Sequence, residues 1–578
     1  MRSVIILFGS LCLLFPTAAS AQQPAPGDAE PKDAQPAQAT AAGEAAAVDP
    51  TPAPHATASA ATAISTTSAV AQVPSPTFAP PAQESGDPNV GADGYQLAGY
   101  HGGRFFVRSR NDYFKLFLRT RLHVDSYNYF GPGVPDGTLK STVLLRRARI
   151  ELGGELMGNW QWELQGEFGS TAFSNAKGTT QEYAAPVGTD PTAETPRYAT
   201  VQGAQYTARP IHAYVNYRAS PLLNIQVGQF NLPFTMDNRT STNQITFMER
   251  SFTARSWGTP TTKDMGVMLW GATRGNVLYY SAGVFQGEGE NRPNADNRGL
   301  TAMRVYTRPL ANDDGPLSGL QVGGSFKYGM HDKNYVGYDY PTMTTQGGYR
   351  FWSSTYTDGV GSGRLVHIIP SGAQLGVAGE FRVPVDRFDL RGELVYLKSN
   401  TREGVDGYQL TNTERFGTLK GYAYYVSLSY WLWGKPFLTG NPGDQKPPTL
   451  DLTKPDPDTP PQAVELAVRW EQLSANYESA ARSGAPDSRN VDGHIKANFL
   501  SAGVNYWASQ HLRLTLNYAL NMFPDSGPKS ASSSGGSTWS EDNRAQAPGN
   551  QLAKAINDDA RDDAHVLHEV MARVAVAF

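Results

Sequence analysis

From about residue 112 onward, apolar and polar residues alternate with a period of two in one stretch after another. Phe114, Leu116, Leu118, Leu122 and Val124 share one parity, and Lys115, Arg119, Arg121, His123 and Asp125 share the other. Trp160, Trp162, Leu164 and Phe168 oppose Gln161, Glu163, Gln165 and Glu167. Leu512, Leu514, Leu516, Tyr518, Leu520 and Met522 oppose Arg513, Thr515, Asn517 and Asn521. The chain ends on the same pattern: Val570, Ala572, Val574, Val576 and Phe578 face one way, Glu569, Arg573 and Ala575 the other. This period puts successive side chains on opposite faces of a strand. Strands of a soluble sandwich usually run about 5–6 residues. Strands of about ten with aromatic ends suit a tilted bilayer crossing.

The pattern predicts sixteen strands, near 114–127, 143–156, 160–170, 209–218, 223–230, 263–272, 277–286, 298–309, 320–330, 372–382, 387–397, 419–432, 463–473, 497–507, 512–522 and 565–578. An even count closes a bacterial barrel with both chain ends on one side. Tight turns at 157–159, 219–221 and 509–511 alternate with long gaps near 171–208, 231–262, 331–371 and 523–564. In such barrels short turns face the periplasm and long loops face outside. The connection 433–462 falls on the turn side yet is long, and reads as an extended periplasmic linker.

Composition sharpens this picture. Arg2, the apolar run Val4–Phe15 and Ala19-Ser20-Ala21 make a signal peptide over 1–21. The single cysteine, Cys12, lies within it, so the exported chain carries no thiol. Residues 22–90 are mostly Ala, Pro, Thr, Gln and Ser and bury too little to offset their ordering entropy. They read as a disordered periplasmic tail, joined through 91–111 to a barrel over 112–578. With 28 Tyr, 24 Phe, 10 Trp and 58 Gly the chain is aromatic-rich and β-prone, and its net charge of −4 argues against nucleic acid as a partner. The fold class is therefore all-β: a transmembrane antiparallel barrel of sixteen strands in the outer membrane of a Gram-negative-type cell, with outer-membrane lipid around it.

Several blocks resemble the phosphate-selective porin O/P family. Arg146-Arg147-Ala148-Arg149-Ile150-Glu151-Leu152-Gly153-Gly154 looks like its double-arginine strand motif. Val227-Gly228-Gln229-Phe230-Asn231-Leu232-Pro233-Phe234 looks like its V-G-x-F-x-x-P-F block, and Phe247-Met248-Glu249-Arg250-Ser251 its following element. Residues 424–432 and 502–507 resemble later strands. The resemblance implies a homotrimer of anion-conducting barrels, with a third external loop folded inward to narrow the pore. It also implies that Arg121, Arg146 and Arg147 line the path to that constriction.

An anion path needs cations on a low-dielectric wall, which concentrates their field. Arginine suits phosphate through its planar fork and permanent charge. Parity places Arg119, Arg121, Arg147, Arg149, Arg304 and Arg513 inward. Strict alternation puts Arg146 outward unless a bulge turns it in. The competing reading pairs these arginines structurally with Glu151, Glu163, Glu167, Asp389, Glu393 and Glu465, which share inward parities. In the constriction loop, 231–262, Arg239, Ser241 and Thr242 are the candidate lining groups, while Asn238 and Asn243 stand where phosphate-selective members carry lysines. That departure predicts weaker phosphate selectivity.

No metal site, cofactor or catalytic residue is expected. His565 and His568 fall on opposite strand faces, Gly287–Asn291 reads as a solvated acidic loop, and Gly361-Ser362-Gly363 as loop punctuation. The expected function is passive diffusion of small anions, phosphate among them. A general or sugar-permissive porin is the alternative in the same class. A barrel serving as surface enzyme or adhesin is the alternative in another, and it would need a nucleophile–base pair that the sequence does not nominate.

Overall fold

The structure is a computed structural model that describes residues 89–130, 141–170, 208–332, 338, 340–352, 354–357, 365–405, 415–434, 436, 440–453, 462–481, 491–523 and 566–578. The expected signal peptide and most of the expected tail lie outside them, as do His565 and Gly361–Gly363. The described residues fall in one compact unit, Ala79–Phe578.

Sixteen antiparallel strands close the barrel. They are β1 (Phe114–Phe130), β2 (Thr142–Leu156), β3 (Trp160–Glu167), β4 (Arg209–Ser220), β5 (Leu223–Asn231), β6 (Lys263–Ala272), β7 (Leu278–Phe285) and β8 (Leu300–Thr307). Then follow β9 (Gln321–His331), β10 (Leu365–Val385), β11 (Phe388–Val405), β12 (Arg415–Trp433), β13 (Ala463–Ala481), β14 (Val491–Trp507), β15 (Leu512–Met522) and β16 (Val566–Ala577). Each corresponds to a strand expected from the alternation. Closure comes from β16 pairing with β1, with Arg573 opposite Asp125 and Val574 opposite Val124. The terminal Phe578 continues the ladder, exchanging backbone hydrogen bonds with Thr120 at 3.0 and 3.1 Å. A hairpin, Ala98–His101 and Arg104–Arg108, takes the free edge of β1 where β16 has ended, with Phe105 opposite Leu118.

The alternation sorts the two faces as expected. On β15, Leu516 is 54% exposed while its neighbour Thr515 is 4% exposed and bonds Asn505 across the lumen wall at 2.7 Å. The outward apolar band has aromatic rims. Phe388 packs on Tyr430 at a ring distance of 4.7 Å near the turn end, and Tyr396 lies opposite Tyr422 further up. Lys398, paired with Lys420, follows immediately. Phe388 to Tyr396 spans nine residues of β11, about the length a tilted strand needs to cross the hydrocarbon. β10 to β14 run 17–21 residues, so they continue beyond the band at the loop end.

The lumen is filled unevenly. The connection between β5 and β6, residues 232–262, folds inward and crosses the barrel. Gly228 leads into it. Its φ is +129°, and a Cβ there would lie 2.2 Å from the Ala213 carbonyl, so only glycine fits this step of the V-G-x-F block. The inward loop meets a second one between β9 and β10. Arg255 donates to the Thr344 and Thr345 carbonyls at 2.8 and 3.0 Å. Phe252 packs between Phe351 and Phe499 at 5.6 and 5.0 Å. Around this junction Trp257, Met343, Trp352, Leu419, Leu473, Ile495 and Leu567 form one buried apolar cluster.

Candidate functional site

The inward loop is pinned to the barrel wall almost all the way round. Glu393 of β11 accepts the backbone N–H of Met236 and of Asp237, the latter at 3.1 Å. Glu471 of β13 accepts that of Phe252 at 2.6 Å. Asn517 of β15 accepts that of Met248 at 2.8 Å, and Arg573 of β16 donates to the Met248 carbonyl at 2.6 Å. On the first strands the anchor is ionic. Glu249 receives Arg147 at 2.9 Å, Arg146 at 3.2 Å and Arg573 at 3.5 Å. Burial works against the Glu249 charge. Arg147, Arg146 and Arg573 outweigh it and hold the carboxyl well below its usual range.

Arg146 reaches Glu249 because of a bulge. Register shifts by one residue between His123 and Val124, which pair with Arg147 and Leu145, so Arg146 has no partner position on β1. The extra residue turns inward with its neighbour.

The other nominated arginines are also paired. Arg119 lies 3.1 Å from Glu151 and 3.3 Å from Glu163, Arg121 2.9 Å from Glu151, and Arg149 2.6 Å from Glu167. Thr242 accepts from Arg121 and, at 3.5 Å, from Arg149, which draws the loop tip onto the arginine wall. Ser241 is half-buried beside it. Arg239 is placed differently. It is 5% exposed and donates to the Asn231 and Gln445 carbonyls, both at 2.8 Å, so it braces backbone rather than facing the chamber. Asn238 does similar work. Its amide clips the loop neck through the Leu232 and Thr262 carbonyls at 3.1 and 3.2 Å, a role that lysine cannot take because it would bury a charge there.

The long turn-side connection corrects the expectation of an extended linker. Its described part, residues 440–453, enters the barrel end as a strap. Gly443 N–H donates to Thr240 at 2.9 Å, and its carbonyl accepts from Arg304 at 3.0 Å. Asp444 bonds Tyr306 and pairs with Arg308 at 3.1 Å. Burial acts to raise the Asp444 carboxyl, but Arg308 and Tyr306 outweigh it and the net direction is down. Leu450 packs with Phe106 and Phe117, and Arg104 of the hairpin donates to the Thr449 carbonyl at 2.7 Å. Its proline and acidic residues look like linker in sequence; what holds it is backbone hydrogen bonding to partners hundreds of residues away.

Between strap and inward loop lies a chamber of about 450 Å³. Seven arginines and lysines line it: Arg104, Arg119, Arg121, Arg149, Arg250, Lys263 and Lys446. They face three carboxylates, Glu151, Glu163 and Asp444. Ser241, Thr242, Asn243 and Gln244 add hydroxyl and amide groups. Burial first, then Arg119, pulls the Arg104 guanidinium down to about 10, which still leaves it charged at neutral pH. Of the cations, Arg119, Arg121 and Arg149 were legible from parity. Arg104, Arg250, Lys263 and Lys446 sit on or beside connections, where alternation gives no signal.

Sixteen alternating strands with an apolar outer band define an outer-membrane channel. The chain belongs to the family of phosphate-selective porins O and P, whose profile matches residues 117–534. No curated protein is a detectable sequence relative of it. Similar solved structures include the anion-selective porin from Comamonas acidovorans, at 11% identity and a TM-score of 0.41, covering 80% of this chain and 100% of that one. OmpT, an outer membrane protein of Vibrio cholerae, matches at 9% and 0.40, covering 81% and 98%. The outer membrane channel DcaP of Acinetobacter baumannii matches at 10% and 0.38, covering 82% and 99%.

Proposed function

We propose that this porin passes small anions passively through the chamber between strap and inward loop, with Arg119, Arg121 and Arg149 on its wall. The observation that carries the reading is the excess of seven cationic side chains over three carboxylates on the chamber wall, an excess that remains, though smaller, with Glu167 and Glu290 paired from outside it to Arg149 and Lys263. Low-dielectric walls focus such a field and raise the local anion concentration. Selectivity is moderate, because Arg119, Arg121 and Arg149 are each shared with a carboxylate that an incoming phosphate must displace. Arg146, Arg147 and Arg239 act through the loop: they fix the constriction on which Ser241 and Thr242 sit. Passage requires no chemistry on the solute, and the barrel works as a homotrimer, as the family implies. The hairpin Ala98–Arg108 packs at the turn end, where Tyr100 bonds His511 and His511 stacks on Phe578, which supports a periplasmic location for the tail expected over residues 22–90.

Planar-bilayer recordings in a potassium chloride gradient test this. Reversal potentials at low salt should show preference for chloride, with phosphate blocking only weakly. A preference for potassium would sink the anion reading. Tight phosphate block would overturn the weakened selectivity.

A further inference from the structure

The acidic run Gly287–Asn291 looks like a solvated loop in sequence, and the fold changes its company. The connection from β7 to β8 leaves Phe285 and returns opposite it at Leu300, which pairs on its other side with Gly329 at the loop end of β9. Glu288 stands near its start, Asp296 near its end, and His331 closes β9. One donor atom from each, two carboxylate oxygens and an imidazole nitrogen, lies within 4.8 Å of the other two. Asp296 Oδ2 is 3.0 Å from His331 Nδ1 and accepts the Asp332 N–H at 2.9 Å. Glu288 is 4% exposed and accepts the Ala295 N–H at 3.3 Å.

We propose that Glu288, Asp296 and His331 form a binding site for a divalent transition-metal ion, zinc fitting best, which ties the external β7–β8 loop to the end of β9. Charge is the first reason. The triad sums to −1 with His331 protonated and to −2 with it neutral, in a partly desolvated rim. Around the triad, Arg298 pairs with Asp332 at 2.7 Å, and Arg292 donates to the Glu288 backbone carbonyl at 3.3 Å and lies over the Tyr338 ring. A divalent cation matches the sign and size of the triad's own charge. Geometry is the second. Donors of a tetrahedral zinc with bonds of about 2.0–2.1 Å stand about 3.3 Å apart. Separations of 3.0 Å and under 4.8 Å reach that by small side-chain rotations alone.

The donor set selects the ion. One imidazole with two carboxylates is a zinc-type combination that leaves a fourth position for water. Calcium asks for six to eight oxygens, and the imidazole disfavours it. Asp296 is held in place beforehand. Asn294 Oδ1 accepts the N–H groups of Asp296 and Asn297 at 3.0 and 2.7 Å, and Asp296 Oδ1 accepts that of Arg298 at 2.9 Å. Asp296 and His331 are only half-buried, so an ion enters from solution without opening the barrel.

The test is isothermal titration of zinc chloride into the tag-free full-length porin in detergent. His331→Gln and Glu288→Gln run alongside, each first shown to be folded by heat-modifiable migration. The expected result is one saturable zinc per chain, weakened about tenfold or more in each variant, and not displaced by equimolar calcium. Absence of saturable zinc binding, or equal affinity in the wild type and both variants, overturns the site. Displacement by calcium overturns the choice of ion. If one variant fails to fold, the other decides by the same criterion, with Asp296→Asn as a third.

Discussion

The lumen of this barrel has two layers, built from the same strands and the same parity. Along β11 the inward residues run Asp389, Arg391 and Glu393, then switch to Val395 and Leu397. Along β13 they run Glu465, Arg469 and Glu471, then Leu473, Ala475 and Tyr477. The turn-end layer is ionic; the loop-end layer is apolar and packs on the two inward loops. The division separates two tasks. Apolar burial is favourable at about 25 cal/mol per Å² without regard to direction, so it holds loops firmly. Buried charge pairs recover little net stability but fix position and field. The apolar layer therefore packs the two inward loops together, while the ionic layer pins the inward loop through Glu393, Glu471 and the Arg147–Glu249 pair and, on the proposed reading, supplies the charge of the chamber.

The sharpest way to break this comparison is to cut the apolar anchor. Trp257 is 1% exposed, and its indole donates to the Val395 carbonyl at 3.2 Å. Trp257→Ala should cost about 3–5 kcal/mol in urea unfolding from lipid vesicles, and should make single-channel current noisier as the loop loosens. A quiet channel of unchanged stability would mean that the ionic pins alone hold the loop. Leu516→Arg, on the lipid face of β15, should cost about 2–4 kcal/mol in the same assay while leaving selectivity alone. A shifted reversal potential there would refute the assignment of faces.

The outer face was fully legible in the sequence, because lipid imposes a uniform demand on every outward position. The inner face was legible only at the turn end. Leu419, Leu473, Ile495 and Leu567 share the inward parity, but a lumen is expected to be polar, so nothing marked them as packing for folded-in loops. Glu249 sat within a matched motif, yet its pairing with Arg146 and Arg147 depends on a loop returning across about half the barrel. Arg239 stood out as the loop's visible cation and instead braces backbone. The strap was hidden for the same reason: its hydrogen bonds are nonlocal, and local composition suggested a linker.

A smaller effect probes the ionic pin. Because the Glu249 carboxyl is held low by Arg147 and its neighbours, its contribution is complete above the ordinary carboxylate value of about 4.3 and is lost only as pH falls through the lower folded value. The Glu249 pin should therefore contribute equally to loop quietness between pH 7 and about pH 4.3, and weaken only in stronger acid. Glu249→Gln should raise loop noise already at neutral pH. Noise that climbs near pH 6 in the wild type, and does so equally in Glu249→Gln, would point to a loop pin other than Glu249.

The smallest expected effect separates the layers most cleanly. Lys446, on the strap, lines the chamber, with its ammonium 3.3 Å from Asn276. Lys327, on β9, also carries a charge inside the barrel, but it donates to the Gly258 carbonyl at 2.6 Å and lies over the Phe234 ring at 5.0 Å. Removing Lys446 takes a cation from the chamber wall; removing Lys327 takes one from the loop's support. A unit charge in water at 4 Å is worth about 1 kcal/mol, and screening at about 8 Å reduces it further. Lys446→Gln should therefore move the reversal potential slightly toward zero at low salt, with the shift fading as salt rises. Lys327→Met should leave the reversal potential in place while lowering stability. If Lys327→Met shifts selectivity more than Lys446→Gln does, solute passes through the loop-end layer, and the division of labour between the two layers fails.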